Sequence, residues 1–158
     1  MGDLRFRPPK KLDFPEEPKT VFVGSNTSNP YHNSVCVQMD FHEKIQGIED
    51  CLHLNIYVPE TKKSGKLPVM FWIHGGGFFA GSASPDFYGP EHFLDHDIIL
   101  VTINYRLGPL GFLTLGNDLM PGNLGLRDQI LALEWVQENI AQFGGDPKKV
   151  TIAGRVPV

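Results

Sequence analysis

Apolar and polar residues alternate in "LHLNIYV" (52–58), the period-two signature of a strand with one covered face, and Pro59 ends it. The pattern then turns continuous. "LPVMFWIH" (67–74) and "DIILVTINY" (97–105) read as strands buried on both faces. Between them lie a glycine-rich loop and a short helical piece near Glu91–Asp95. Over 125–143 the period changes again. Leu126, Ile130, Leu133, Val136, Ile140 and Phe143 recur at steps of three and four, which predicts a helix with one apolar stripe. Gly144-Gly145 supplies its C-cap and Asp146-Pro147 blocks its continuation. Residues 149–153 read as a further short, buried strand. Strand, strand, helix, strand is the order of an α/β domain with a mostly parallel sheet.

The remaining stretches read as connections. Residues 1–20 are rich in proline and Lys/Arg and form an irregular arm, 24–34 a turn-rich loop and 60–66 a polar turn. Residues 106–124 form a loop long enough to suggest a functional role. A chain of 158 residues suffices for one domain with a core, and 41% hydrophobic with 20% charged residues suits a packed protein. The net charge of −4, with no basic block, argues against nucleic-acid binding. The longest apolar runs, 67–73 and 98–101, are too short for a transmembrane segment. The N-terminus has no apolar core, so no signal peptide is expected in the chain as given. Cys36 and Cys51 are either two separate buried thiols or one disulfide, and neither arrangement makes a metal site. Asn26-Thr27-Ser28 is a glycosylation sequon at Asn26.

The chemistry-bearing motif is "HGGGFFAGS" (74–82), directly after a buried strand. Three consecutive glycines cost backbone entropy that a plain turn does not require. They allow bare backbone N–H groups to approach a developing negative charge, such as the oxyanion of a tetrahedral acyl-transfer intermediate. HGGG after a strand is the oxyanion-loop motif of lipases and esterases. No Gly-Lys-Ser/Thr follows, so it is not a Walker phosphate loop. His74, at the strand end, is expected to brace this loop rather than to act as a base.

These residues resemble the type-B carboxylesterases, the cholinesterase-like branch of the α/β-hydrolases. "EDCLHLNIYVP" (49–59), "HGGGFFAGS", "NYRLGPLGFL" (104–113), "GNLGLRDQILALEWVQENIAQFGGDP" (122–147) and "VTIAG" (150–154) carry the resemblance in order. It implies a partial α/β-hydrolase fold with a mostly parallel central sheet, residues 1–158 being the N-terminal portion of a single, incomplete domain. It implies oxyanion-hole glycines at Gly76 and Gly77, and a disulfide between Cys36 and Cys51. It also implies structural ion pairs Arg5–Glu49 and Arg106–Asp128. For the parent enzyme it implies small-molecule carboxylic ester substrates, no cofactor, and a secreted or ER-lumenal location. No oligomeric state is implied. In family members that bind choline, the loop between these cysteines carries a tryptophan. Here its only aromatic ring of the Phe/Tyr/Trp kind is Phe41, which favours a general carboxylesterase.

After "VTIAG" the family continues into a G-x-S-x-G nucleophile elbow. Here Gly154 is followed by Arg155, Val156 and Pro157. Val156 occupies the nucleophile position and has no attacking atom. Pro157 lacks the N–H that would complete the oxyanion donors. These 158 residues are therefore expected to be inactive alone and, with central strands left unpartnered, poorly soluble or molten. A non-catalytic cholinesterase-like binding or adhesion protein is the alternative reading.

Overall fold

The structure, a computed structural model, describes residues 4–11, 34–39, 43–60 and 64–155. Two short strands, β1 (Gln38–Met39) and β2 (Ile45–Gln46), pair antiparallel beside the main sheet. That sheet holds β3 (Leu54–Tyr57), β4 (Leu67–Ile73), β5 (Ile99–Ile103) and β6 (Gly145–Gly154) in the order β3-β5-β4-β6. β4 pairs parallel with β5 and with β6, and β3 runs antiparallel to β5. The helices are α1 (Glu91–Leu94), α2 (Gly108–Phe112) and α3 (Leu124–Asn139), the last followed by a 3-10 turn at Ile140–Phe143.

Burial explains this order. All five residues of β5 are buried, as the continuous apolar run requires of a strand with neighbours on both edges. Val69, Phe71, Ile99, Val101 and Ile103 form one face and pack on Val136 and Ile140. On the opposite face, Thr102 is covered by the segment after the glycine loop, donating to the Ala83 carbonyl at 3.1 Å. Tyr88 from the same stretch lies against Trp72, with ring centroids 5.2 Å apart. Gly144 adopts φ +82° and ends the helical segment, as its sequence position predicts.

Four expectations need correction. β4 is not buried throughout: Leu67, Val69 and Phe71 are buried, Pro68 is exposed, and Met70, Trp72 and Ile73 are intermediate. β6 is longer than 149–153 and has a single buried residue, Gly145, because it lies at the sheet edge with β4 as its one strand partner among the described residues. The apolar stripe of α3 is split. Val136 and Ile140 reach the core, whereas Leu126 and Ile130 face outward. The inward face of the first two turns belongs instead to Leu124, Gly125 and Asp128. A buried charge there rotates the covered side of the helix away from its largest aliphatic residues. Finally, the 106–124 loop contains α2, for which Pro109 in the first turn was the available signal.

The β6 edge carries Ile152 at 56% exposure beside backbone groups that pair with no other strand among the described residues. Such edges recruit other strands. We expect the purified chain to self-associate, and Ile152→Lys to shift it toward monomer in size-exclusion chromatography with light scattering. An unchanged mass distribution would exclude β6 as the associating edge.

Candidate functional site: a glycine loop at the carboxyl end of the parallel strands

Two parallel strands with aligned carboxyl ends deliver their following residues to one place. β4 ends at Ile73, opposite Gly154 of β6. The next residue, Arg155, donates its backbone N–H to the Ile73 carbonyl at 3.2 Å. Gly75 lies against Arg155 so closely that a Cβ there would sit 2.6 Å from the Arg155 carbonyl oxygen. Glycine at 75 is thus a packing requirement. The glycine loop and the chain leaving β6 meet at this point.

Gly76 and Gly77 adopt φ +123° and +61°, left-handed values that glycine reaches without strain. Phe79 and Ala80 both donate to the Gly76 carbonyl, at 3.0 and 3.1 Å, closing a tight turn. Among the described residues, the amides of Gly76 and Gly77 donate to no protein acceptor. Gly76 is exposed and Gly77 intermediate, so these donors are accessible. Beside them an open apolar cleft of about 380 Å³ is lined by Gly77, Phe78, Phe79, Pro109, Phe112 and Leu113.

His74 is buried, and its ring stacks on Tyr105 with centroids 4.4 Å apart. Tyr105 donates its hydroxyl to the His74 carbonyl at 2.8 Å, and burial pushes its pKa to about 12, so it keeps that proton. His74 Nδ1 lies 2.9 Å from the Gly75 carbonyl, which can only accept, so the proton sits on Nδ1. Nε2 is buried with no partner among the described residues. Desolvation lowers the pKa of this imidazole below 6.5, against a smaller opposing effect of the Gly75 bond. A neutral ring wedged under the loop is a brace, in keeping with its position at the strand end.

The loop's far end is held by side-chain amides. Gln38 exchanges two hydrogen bonds with Gly81, accepting from its N–H at 2.8 Å and donating to its carbonyl at 2.9 Å. Asn104 accepts from Ala83 N–H at 2.8 Å, and Asn55 donates to the Ala83 carbonyl at 3.0 Å. Sequence reasoning missed all three. Their residue types carried no signal: Asn55 falls on a polar position of the alternating 52–58 pattern, and no strand was read over Gln38.

The remaining predicted residues fall into place as pairs. Cys36 and Cys51 form a disulfide, buried with Tyr105 and Leu107. Arg5 and Glu49 form an ion pair, and the bond from Arg5 lowers the Glu49 pKa while its own is raised. Arg106 and Asp128 are joined by side-chain bonds of 2.7 and 2.6 Å, both side chains at most 2% exposed. The Asp128 carboxylate also accepts the Arg106 backbone N–H at 3.0 Å. Arg106 further donates to the carbonyls of Leu4 and Arg7. Asn26, Phe41 and Val156 lie outside the described residues.

A mostly parallel sheet with this loop at its carboxyl end is part of the α/β-hydrolase fold. A solved p-nitrobenzyl esterase structure superposes with a TM-score of 0.69 at 46% identity, over 77% of this chain and 26% of that one. The crystal structure of juvenile hormone esterase from Manduca sexta, with OTFP covalently attached, gives 0.69 at 45% identity, over 77% of this chain and 24% of that one. The carboxylesterase family model matches residues 1–156, and the chain belongs to that family. Juvenile hormone esterase of Tribolium castaneum is 49% identical over 98% of this chain and 26% of its own length. Acetylcholinesterase of Electrophorus electricus is 41% identical over 98% of this chain and 25% of its own. The chain thus spans about a quarter of the length of these relatives.

Two predictions test this geometry. Asp128→Ala strands the Arg106 guanidinium in the interior and should cost about 3–5 kcal/mol in urea unfolding. A cost below about 1 kcal/mol would contradict a buried, coupled pair. For His74, the unfolded ring takes up a proton near pH 6.5 while the folded ring resists it. Its contribution is therefore complete above 6.5 and lost as pH falls from 6.5 to the lower folded value. The variant His74→Phe, which keeps a stacking ring but cannot titrate, should flatten the pH dependence of stability over that interval.

Proposed function

We propose that these residues are the N-terminal portion of a carboxylic ester hydrolase domain, in which the amides of Gly76 and Gly77 stabilise the oxyanion of a tetrahedral intermediate. The observation that carries this reading is convergence: Arg155, the residue just before the nucleophile position of the family pattern, lies against Gly75 and so beside the accessible glycine amides. A nucleophile at 156 would place its tetrahedral adduct next to them. The parent reaction is serine acyl transfer, with the triad's acid and histidine supplied by other parts of the domain. Small-molecule carboxylic esters are the substrates, and the apolar cleft beside Gly77 favours esters with hydrophobic groups. The Cys36–Cys51 disulfide supports an oxidising compartment, secreted or ER-lumenal, for the parent.

By the same reasoning these 158 residues do not hydrolyse esters alone. Val156 carries no oxygen or sulfur, and Pro157 has no N–H to offer as a further donor. That valine also supports the second reading, a binding protein of esterase ancestry that has given up its chemistry. Purified chain incubated with p-nitrophenyl butyrate should release nitrophenol no faster than buffer. Saturable turnover that co-purifies with the chain would overturn this. Sequencing the transcript past the codon for Gly154 separates the two readings: serine at the nucleophile position in a longer product supports the enzyme, and its replacement there supports the binder.

A further inference from the structure

We propose that Gln38 is a positioning residue for the glycine loop, and that the Cys36–Cys51 disulfide acts on the loop through it. The functional part of this assignment rests on reading Gly76 and Gly77 as oxyanion donors.

The Gln38 carboxamide is 9% exposed as a residue and every polar valence that faces protein is used. Its Oε1 accepts from Gly81 N–H at 2.8 Å, and its Nε2 donates to the Gly81 carbonyl at 2.9 Å and to the Cys36 carbonyl at 3.0 Å. Engaging both backbone groups of one residue reproduces the pairing of a β-bridge with a side chain. It fixes Gly81 in orientation as well as in place. On its other side Gly81, at φ +121°, leaves no room for a Cβ, which would run into the His74 imidazole. The backbone at 81 is therefore clamped between a ring and a carboxamide.

The clamp bears on the donors through a short connection. Gly76 and Gly81 are joined by the turn in which Phe79 and Ala80 both bond to the Gly76 carbonyl. Movement at Gly81 is passed to Gly76 by that closed turn. A loop with three successive glycines has little intrinsic preference for one conformation. Preorganised donors need an external restraint, since reorganisation at the moment of reaction forfeits the electrostatic gain.

The anchor of the clamp is the disulfide. β1 and β2 are two residues each, too short to be stable by their own pairing, and Ile45 is largely exposed. What holds β1 is the neighbouring Cys36, bonded to Cys51 and buried at 2% exposure. Ile48 donates to the Val35 carbonyl at 3.0 Å, and Gly47, at φ +92°, packs on the Cys36 carbonyl. The chain of contacts runs from the disulfide to Gln38, to Gly81, to Gly76.

Amide hydrogen exchange on the full chain, read by NMR, tests this without needing turnover. Gln38→Leu should speed exchange at Gly81 and over 75–80 by about tenfold, leaving Val101 in β5 unchanged. Gln38→Glu, which keeps the bond from Gly81 N–H but loses both donated bonds, should speed exchange over 75–80 with a smaller effect at Gly81 itself. Reducing the disulfide with dithiothreitol should raise exchange at Gly81 in the unmodified chain, and add less than about twofold in Gln38→Leu. Wild-type protection at Gly81 in Gln38→Leu, or wild-type exchange over 75–80 in both variants, would overturn the clamp. Equal loosening of Val101 would show a general stability role instead. Additive effects of reduction and substitution would overturn the route from the disulfide through Gln38. If a variant does not fold, the oxidised and reduced forms of the unmodified chain still decide whether the disulfide restrains the loop. Catalysis by the unmodified chain would refute the proposed inactivity and leave these outcomes as they stand.

Discussion

The Arg106–Asp128 pair holds together the parts on which the rest depends. It joins the end of β5 to the first turns of α3 and reaches across to the carbonyls of Leu4 and Arg7. Its cost is desolvation of two charges, offset only when every donor finds an acceptor. Here the guanidinium is shared among a carboxylate and two backbone carbonyls, and the same carboxylate also takes the Arg106 N–H. The surrounding chain is shaped to allow this. Gly111 and Gly125 both pass so near the Arg106 carbonyl that a methyl group on either would collide with it. The pair therefore dictates the approach of α2 and the start of α3, and through them the wall of the cleft beside Gly77.

A second consequence is the orientation of α3. Placing Asp128 inward turns Leu126 and Ile130 outward, against what their size would dictate for an isolated helix. Hydrophobic burial decides the C-terminal half, where Val136 and Ile140 meet Val69 and Phe71. A buried ion pair decides the N-terminal half. The two halves disagree with a single stripe, and the helix resolves the conflict in favour of the charge, because leaving Arg106 buried without its partner costs more than exposing an aliphatic side chain.

How much of this was legible beforehand follows the same physics. The positions of strands β4 and β5, the glycine loop and the Gly144 cap were read correctly because their signals are local: apolar runs, consecutive glycines, a helix-stopping doublet. The ion pairs and the disulfide came from family resemblance, since nothing local links residues 22 or 44 positions apart. The edge status of β6 was not legible from its own composition, because "VTIAG" reads the same whether one neighbour is present or two. Nor were Gln38, Asn55 and Asn104 found. Each acts on backbone groups, and backbone groups leave no trace in a residue pattern.

The disulfide has a consequence in time. Its cysteines are 15 residues apart, so the loop it closes needs none of the strands β3 to β6 to bring its ends together. Chains are made and begin to fold from the N-terminus. Cys36, Gln38 and Cys51 all precede residues 74–82, so closing the covalent frame for the clamp does not depend on the glycines it restrains. The glycine loop can thus settle against a frame whose closure never had to wait for it.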